Sequence, residues 1–211
     1  EDGSIGEITD EIFHKGMGSV AERNFRPHIT CARMTHDNKY LLVADQGMDH
    51  VNVYRFDTVT GRVILVDIIR SELESAPRHI KISKDGRFIY IVHEWKCYID
   101  VYSYEEKKGQ PVFEKIQTVS TCRSEKGSSN PSSALSFSED YKYVLSTNAG
   151  DNSVVMFQVD EGTGMLSEIF CLPVSGEYPK DAGLFPDNRS LVSLNHESSD
   201  MTFFRVDMEH G

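Results

Sequence analysis

Arg78 and Glu94 are the two residues whose chemistry stands out first, because they open and close one short hairpin-like stretch, "APRHIKISKDGRFIYIVHE" over 76–94. A guanidinium can hold an anion and a carboxylate can take a proton. Two β-prone runs flank the tight "KDGR" turn between them. The strands of a hairpin run antiparallel, so the end of the second returns to the start of the first. The two charged groups should therefore be neighbours across one hairpin.

Three relatives of this stretch recur along the chain. They are "PHITCARMTHDNKYLLVADQGMDHVNVYRFD" from Pro27, "PSSALSFSEDYKYVLSTNAGDNSVVMFQVD" from Pro131 and "PKDAGLFPDNRSLVSLNHESSDMTFFRVD" from Pro179. Each reads as a proline, a short strand, a polar turn, an apolar strand, a polar corner and a third strand. The first three units continue into a fourth strand, "RVILVDIIR", "PVFEKIQTV" and "MLSEIFCLP". Helical periodicity is nearly absent, and β-branched and aromatic residues fill the runs. A repeat of about fifty residues with four strands per unit is the pattern of β-propeller blades. The sequence thus predicts an all-β propeller of four-stranded antiparallel blades, a single region over 1–211. Its blades fall near 27–70, 76–120, 130–175 and 178–211, with a leading strand at 7–15, "EITDEIFHK". That strand could close a four-bladed ring by completing the last blade, or the units could be an arc of a larger propeller.

In a propeller the first strand of each blade lines the channel. Eight residues before the turn positions Asn38, Gly86, Tyr141 and Asn188 stand Thr30, Arg78, Ser133 and Lys180, all polar. Some fifteen residues further on lie Asp45–Gln46, His93–Glu94, Asn148–Ala149 and Asn195–His196. These sets should share one rim, with His28 two places before Thr30 on the same strand face. A concave mouth ringed by convergent polar groups is the expected ligand site, and a structural Arg78–Glu94 ion pair is the plain alternative. Asp45, Asn148 and Asn195 read as corner formers. His36, His50, His79 and His210 receive no role, and the Ser-rich connection over 120–133 reads as a surface loop.

Bulk properties narrow the function. The 211 residues carry 33 acidic against 22 basic side chains, a formal charge of −11. This argues against a general nucleic-acid binder, since duplex affinity comes largely from neutralising phosphates. It leaves room for a cationic pocket that takes a small anionic metabolite. No apolar run approaches the ~20 residues of a membrane span. Cys31, Cys97, Cys122 and Cys171 are widely separated and suggest reduced thiols in a cytoplasmic protein. No phosphate-cradling glycine loop or paired metal-ligand motif occurs, so neither a cofactor nor a metal is expected.

The units resemble the lactonase-type seven-bladed β-propellers, a family that includes one kind of 6-phosphogluconolactonase and the fungal 3-carboxy-cis,cis-muconate cyclase. "APRHIKISKDGRFIYIVHE" is similar to the family's Pro-Arg-His strand with its Asn-Glu corner. "SSALSFSEDYKYVLSTNAGDNSVVMFQVD" is similar to its Ser-Ala-Ile unit, and "EYPKDAGLFPDNRSLVSLNHESSDMTFFRVD" to its Tyr-Pro-Arg-Asp unit. The resemblance implies that Arg78 and Glu94 fall on active-site residues. Lys180 stands where the family usually has Arg, Thr30 where it has His, and Ala149 where a corner Arg is common. Seven blades need roughly 350 residues, so the resemblance favours an arc, with apolar blade faces that could self-associate and little competence alone. The implied activity is opening of a sugar lactone such as 6-phosphogluconolactone. Glu94 would activate water, Arg78 would stabilise the oxyanion, and Lys180 would bind the substrate's anion. His28, Thr30, Ser133 and His196 would stand around it. A guanidinium also weakens a carboxylate as a proton acceptor, which leaves an electrostatic role for Glu94 open. A muconate-type cyclase and a non-catalytic binding scaffold are the rival readings.

Overall fold

The computed structural model describes residues 3–18, 26–122 and 131–208. Residues 123–130 of the Ser-rich connection, and His210, lie outside the described residues. Four separate antiparallel sheets follow the chain. The first holds β1 (Ile29–Met34), β2 (Tyr40–Asp45), β3 (His50–Phe56) and β4 (Val63–Arg70). The second holds β5 (Pro77–Ile82), β6 (Phe88–His93), β7 (Tyr98–Lys107) and β8 (Gln110–Ser120). The third holds β9 (Ser132–Phe137), β10 (Tyr143–Asn148), β11 (Ser153–Val159) and β12 (Leu166–Pro173). The last has three strands, β13 (Pro179–Leu184), β14 (Ser190–Asn195) and β15 (Asp200–Arg205). A 3-10 turn, Gln46–Met48, forms the corner after β2.

The hairpin turns follow from local chemistry. Asn38, Gly86, Tyr141 and Asn188 take left-handed backbone angles, with φ of 58°, 78°, 64° and 54°. In the first three units a hydroxyl grips the turn aspartate, Thr35 to Asp37 at 2.5 Å, Ser83 to Asp85 at 2.7 Å and Ser138 to Asp140 at 2.7 Å. Each carboxylate then accepts the backbone N–H two residues on, at Lys39, Arg87 and Lys142. Such side-chain bonds pre-form the turn that sets strand register.

The sheets stack face to face through three apolar layers. Leu42, Val53, Ile80 and Ile91 join the first pair, Tyr90, Val92, Leu135 and Phe157 the second, and Leu145, Met156, Ala182 and Leu191 the third. Each of the large side chains buried there contributes about 1.5–3 kcal/mol. The first strands of successive sheets also meet directly. Arg33 Nε donates to Ile80 O at 3.3 Å, Leu135 N–H to His79 Nδ1 at 3.3 Å, and Ser136 Oγ to Ala182 O at 2.7 Å. β1, β5, β9 and β13 therefore line one axis, as propeller blades require.

One turn locks two blades together. Gly164 has φ of 74° and its carbonyl accepts the Tyr90 hydroxyl at 2.9 Å. A Cβ there would lie 2.3 Å from Cγ of the buried Phe88 ring. Gly164→Ala is expected to cost about 1–3 kcal/mol through overpacking of that ring, read as a lowered urea midpoint with an unchanged slope.

The strand expected over 7–15 is not present: the segment makes no backbone ladder with any sheet. The segment crosses the first blade through side chains instead. Thr9 Oγ1 donates to Gly61 O at 3.0 Å, and Asp10 Oδ2 accepts Val63 N–H at 3.0 Å. His14 Nδ1 meets the buried Asp45 Oδ2 at 2.6 Å, and its Nε2 lies 2.9 Å from the Tyr54 hydroxyl. The last sheet is left with three strands, so the four blades form an arc. No helix among the described residues is long and apolar enough to cross a membrane.

Candidate active site

Every first strand carries a one-residue bulge at the same height. The register skips at Thr30 between Ile29 and Cys31, at Arg78 between Pro77 and His79, and at Lys180 between Pro179 and Asp181. In the third blade Ser133 and Ala134 together oppose Thr147. A bulge re-aims a side chain and ends regular pairing, so the polar residues counted from the sequence sit where each strand breaks its pleat.

Arg78 is fixed from several sides. Its Nε donates to Ser133 O at 2.7 Å and its Nη1 to Glu94 Oε2 at 2.7 Å, while its own carbonyl accepts Thr30 Oγ1 at 2.8 Å. Three blades thus contribute to holding this one residue, the second and third through its guanidinium and the first through its carbonyl. Glu94 is nearly buried, its N–H bonded to Ala76 O at 2.9 Å and its carbonyl to Ser132 N–H at 2.9 Å.

A third side chain joins this pair. Gln46, buried in the 3-10 turn, donates from Nε2 to the same Glu94 Oε2. Its backbone N–H is anchored on His28 O at 2.9 Å. The chain comes so close here that a Cβ on Gly47 would lie 1.9 Å from Arg26 O. Sequence reasoning placed Gln46 on the rim but gave it no function. The available signal was its alignment with Glu94 at the equivalent corner. Because Arg78 and Gln46 share Oε2, Oε1 bears no hydrogen bond among the described residues.

The other sequence candidates are placed differently. The Ser133 hydroxyl is buried without a hydrogen-bond partner among the described residues, and the residue serves the pair through its carbonyl. Thr30 is committed to the Arg78 carbonyl. His28 is exposed and enters through its backbone, its N–H donating to Asp45 Oδ1 at 2.9 Å. Lys180 and His196 form a second group on the last blade. Lys180 Nζ stands 4.4 Å above the Tyr178 ring, and the His196 ring meets Tyr178 at 6.3 Å edge-on. They line a cavity of about 370 Å³ with Asn195 and Asp200. No contact joins this group to Glu94 among the described residues. Nor do the described residues contain a cluster of three or more His, Cys, Asp or Glu placed to hold a metal.

His79, next to Arg78, is held neutral. Burial above all, and then the Arg78 charge, push it down to about 4. The Leu135 N–H pointing at Nδ1 also requires an unprotonated nitrogen there. The unfolded chain binds this proton near the ordinary 6.5, so stability is complete above that pH and falls as pH drops toward 4. The loss should be on the order of 2 kcal/mol, and chemical denaturation of His79→Gln should show a shallower decline across that window.

A family model described as a lactonase with a seven-bladed β-propeller matches residues 1–211. The chain belongs to the lactonase family of seven-bladed β-propellers. A protein of Lactococcus lactis subsp. cremoris is 30% identical over 211 residues, which is 100% of this chain and 60% of its relative. The 6-phosphogluconolactonase of Bacillus subtilis is 27% identical over 218 residues, 100% of this chain and 59% of that enzyme. The solved periplasmic gluconolactonase of Pseudomonas aeruginosa superposes with a TM-score of 0.82 at 27% identity, covering 92% of this chain and 54% of that structure. This lactonase-family chain therefore spans about three-fifths of the curated relatives it matches, in keeping with four blades of seven.

Proposed function

We propose that the Arg78–Glu94 mouth opens a sugar lactone, with a phosphorylated gluconolactone as the leading substrate. Membership of the lactonase family and the Bacillus relative support the reaction class. The observation that carries the reading is the asymmetry of Glu94: two donors fix Oε2, and among the described residues none engages Oε1. In this scheme Oε1 takes a proton from water as the water oxygen attacks the ring carbonyl. The C–O ring bond then breaks, and the leaving alkoxide takes the proton back to give the open hydroxy acid. Arg78 spends two of its five N–H donors on Glu94 and Ser133, leaving three for the developing oxyanion. Lys180, which makes no ion pair among the described residues, would receive the substrate's anionic group, with His196 beside it.

None of the four cysteines forms a disulfide among the described residues, and we assign the protein to a reducing, cytoplasmic setting. Met201 and Phe203 stand exposed on the last sheet, a face we assign to contact with another blade face. The deciding assay follows lactone opening by the full-length protein. Wild type should exceed the spontaneous rate, and Arg78→Ala should lose about 10²–10³-fold. A wild-type rate no faster than background, or an undiminished Arg78→Ala, would overturn the assignment.

A further inference from the structure

The channel has a second mouth, at the far ends of the same first strands. Lys81 follows Arg78 by three residues on β5, which at about 3.3 Å each puts it on the order of 10 Å along the strand from the Arg78–Glu94 mouth. There β1, β5 and β9 enclose a cavity of about 640 Å³, lined by Arg33, His36, Lys81, Ser136, Glu139 and Tyr141 among others. This is the size of a small-molecule site. We propose that Arg33 and Lys81 form a second site here, for a small dianion of the phosphate class.

The argument rests on how the charges are distributed. At the neighbouring turns basic side chains are paired: Lys39 with Glu106 at 2.7 Å, and Arg87 with Asp85 at 2.5 Å. Arg33 and Lys81 have no ion pair among the described residues. Arg33 commits only Nε, to Ile80 O at 3.3 Å, which leaves its terminal donors open to the cavity. Lys81 is partly buried, and its ammonium is pushed below the ordinary lysine value by burial first and by the Arg33 charge next. Asp181 is felt at Lys81 without contacting it, and Glu139 lines the cavity without pairing to either cation. The partly buried Lys81 and the exposed Arg33 put two like charges on one open cavity, where they oppose each other. An oxyanion bridging them would remove that conflict and fill the open guanidinium donors, an arrangement to which Arg is suited by its planar fork. The Tyr141 side chain adds a polar group to the lining.

The proposal is independent of the lactonase reading, because it concerns the other end of the channel and is read by binding alone. The full-length protein is titrated with inorganic phosphate, followed by calorimetry and by melting temperature, against chloride at matched ionic strength. Phosphate should bind and stabilise where chloride does not. The double variant Arg33→Gln/Lys81→Gln should weaken that binding about tenfold or more, whereas Arg78→Ala should leave this component intact. In phosphate-free buffer the double variant should still melt in one cooperative transition, which checks that it folds; its midpoint reflects the lost repulsion set against the lost Arg33 bond to Ile80 O. Equal stabilisation by chloride, wild-type phosphate affinity in the double variant, or binding abolished by Arg78→Ala would each overturn the second site.

Discussion

Glu94→Gln is expected to lower kcat for lactone opening by about 10²–10⁴-fold while leaving the melting temperature near that of wild type. The substitution is close to isosteric. The new amide oxygen can still accept from Arg78 Nη1 and Gln46 Nε2, which both address Oε2 in the native pair. What changes is the other position, where an NH₂ group cannot take a proton from water. A base role therefore predicts a fall in kcat with little change in KM. Glu94→Asp separates this from a purely electrostatic role, because it keeps the charge and withdraws the carboxylate by about one bond length. If geometry matters, displacement on the order of 1 Å should itself cost about 10²-fold. A Glu94→Gln enzyme with an unchanged rate would remove Glu94 from the mechanism. Gln46→Leu supplies a graded companion: the carboxylate loses one of its two clamps, and kcat should drop by less than in Glu94→Gln.

Those residues were legible to different degrees, for physical reasons. The blade repeat shows in the chain because turn chemistry is local. Gly86 and the Asx residues at 38 and 188 announce left-handed turns by type, and only Tyr141 adopts one without such a signal. Counting from those turns reached the bulge position in all four first strands, since register propagates rigidly along a hairpin. The strand at 7–15 was misjudged because strand formation is a property of pairs. Its alternating Ile8, Thr9, Asp10 pattern says nothing about whether a ladder partner stands beside it. Gln46 was passed over because its importance comes from the next blade, where it meets Glu94 across 48 residues of sequence. Lys180 stands at the counted bulge position, but its approach to the Tyr178 ring is set by the left-handed backbone at Tyr178, with φ of 59°. Composition could not reveal that.

Directly behind Glu94, a buried polar network holds the second blade together, and its loss should be the largest stability effect in the molecule. Asp100 is inaccessible to solvent and accepts from Thr118 Oγ1 at 2.5 Å and Lys115 Nζ at 2.9 Å, with His93 Nε2 at 3.4 Å. His93 in turn meets Ser75 Oγ through Nδ1 at 3.0 Å and stacks on Tyr98 at 4.3 Å. Burial would raise the Asp100 carboxyl, but the bonds from His93, Lys115 and Thr118 outweigh it and hold the group at about 2. Asp100→Ala strips the acceptor from Thr118, Lys115 and the Tyr102 hydroxyl at 3.5 Å, and should cost about 3–5 kcal/mol. The pH dependence carries the same signature. A carboxylate depressed in the folded state contributes its stability above the unfolded value of 3.8 and loses it as pH falls toward 2. That limb should amount to ~2 kcal/mol and should vanish in Asp100→Asn. His93, kept neutral chiefly by burial, adds a separate loss that begins below the ordinary 6.5 and survives in the Asn variant. Denaturation curves for the two proteins should therefore run parallel above pH 4 and converge below it. Curves that stay parallel down to pH 2 would mean that the network does not depend on the Asp100 charge.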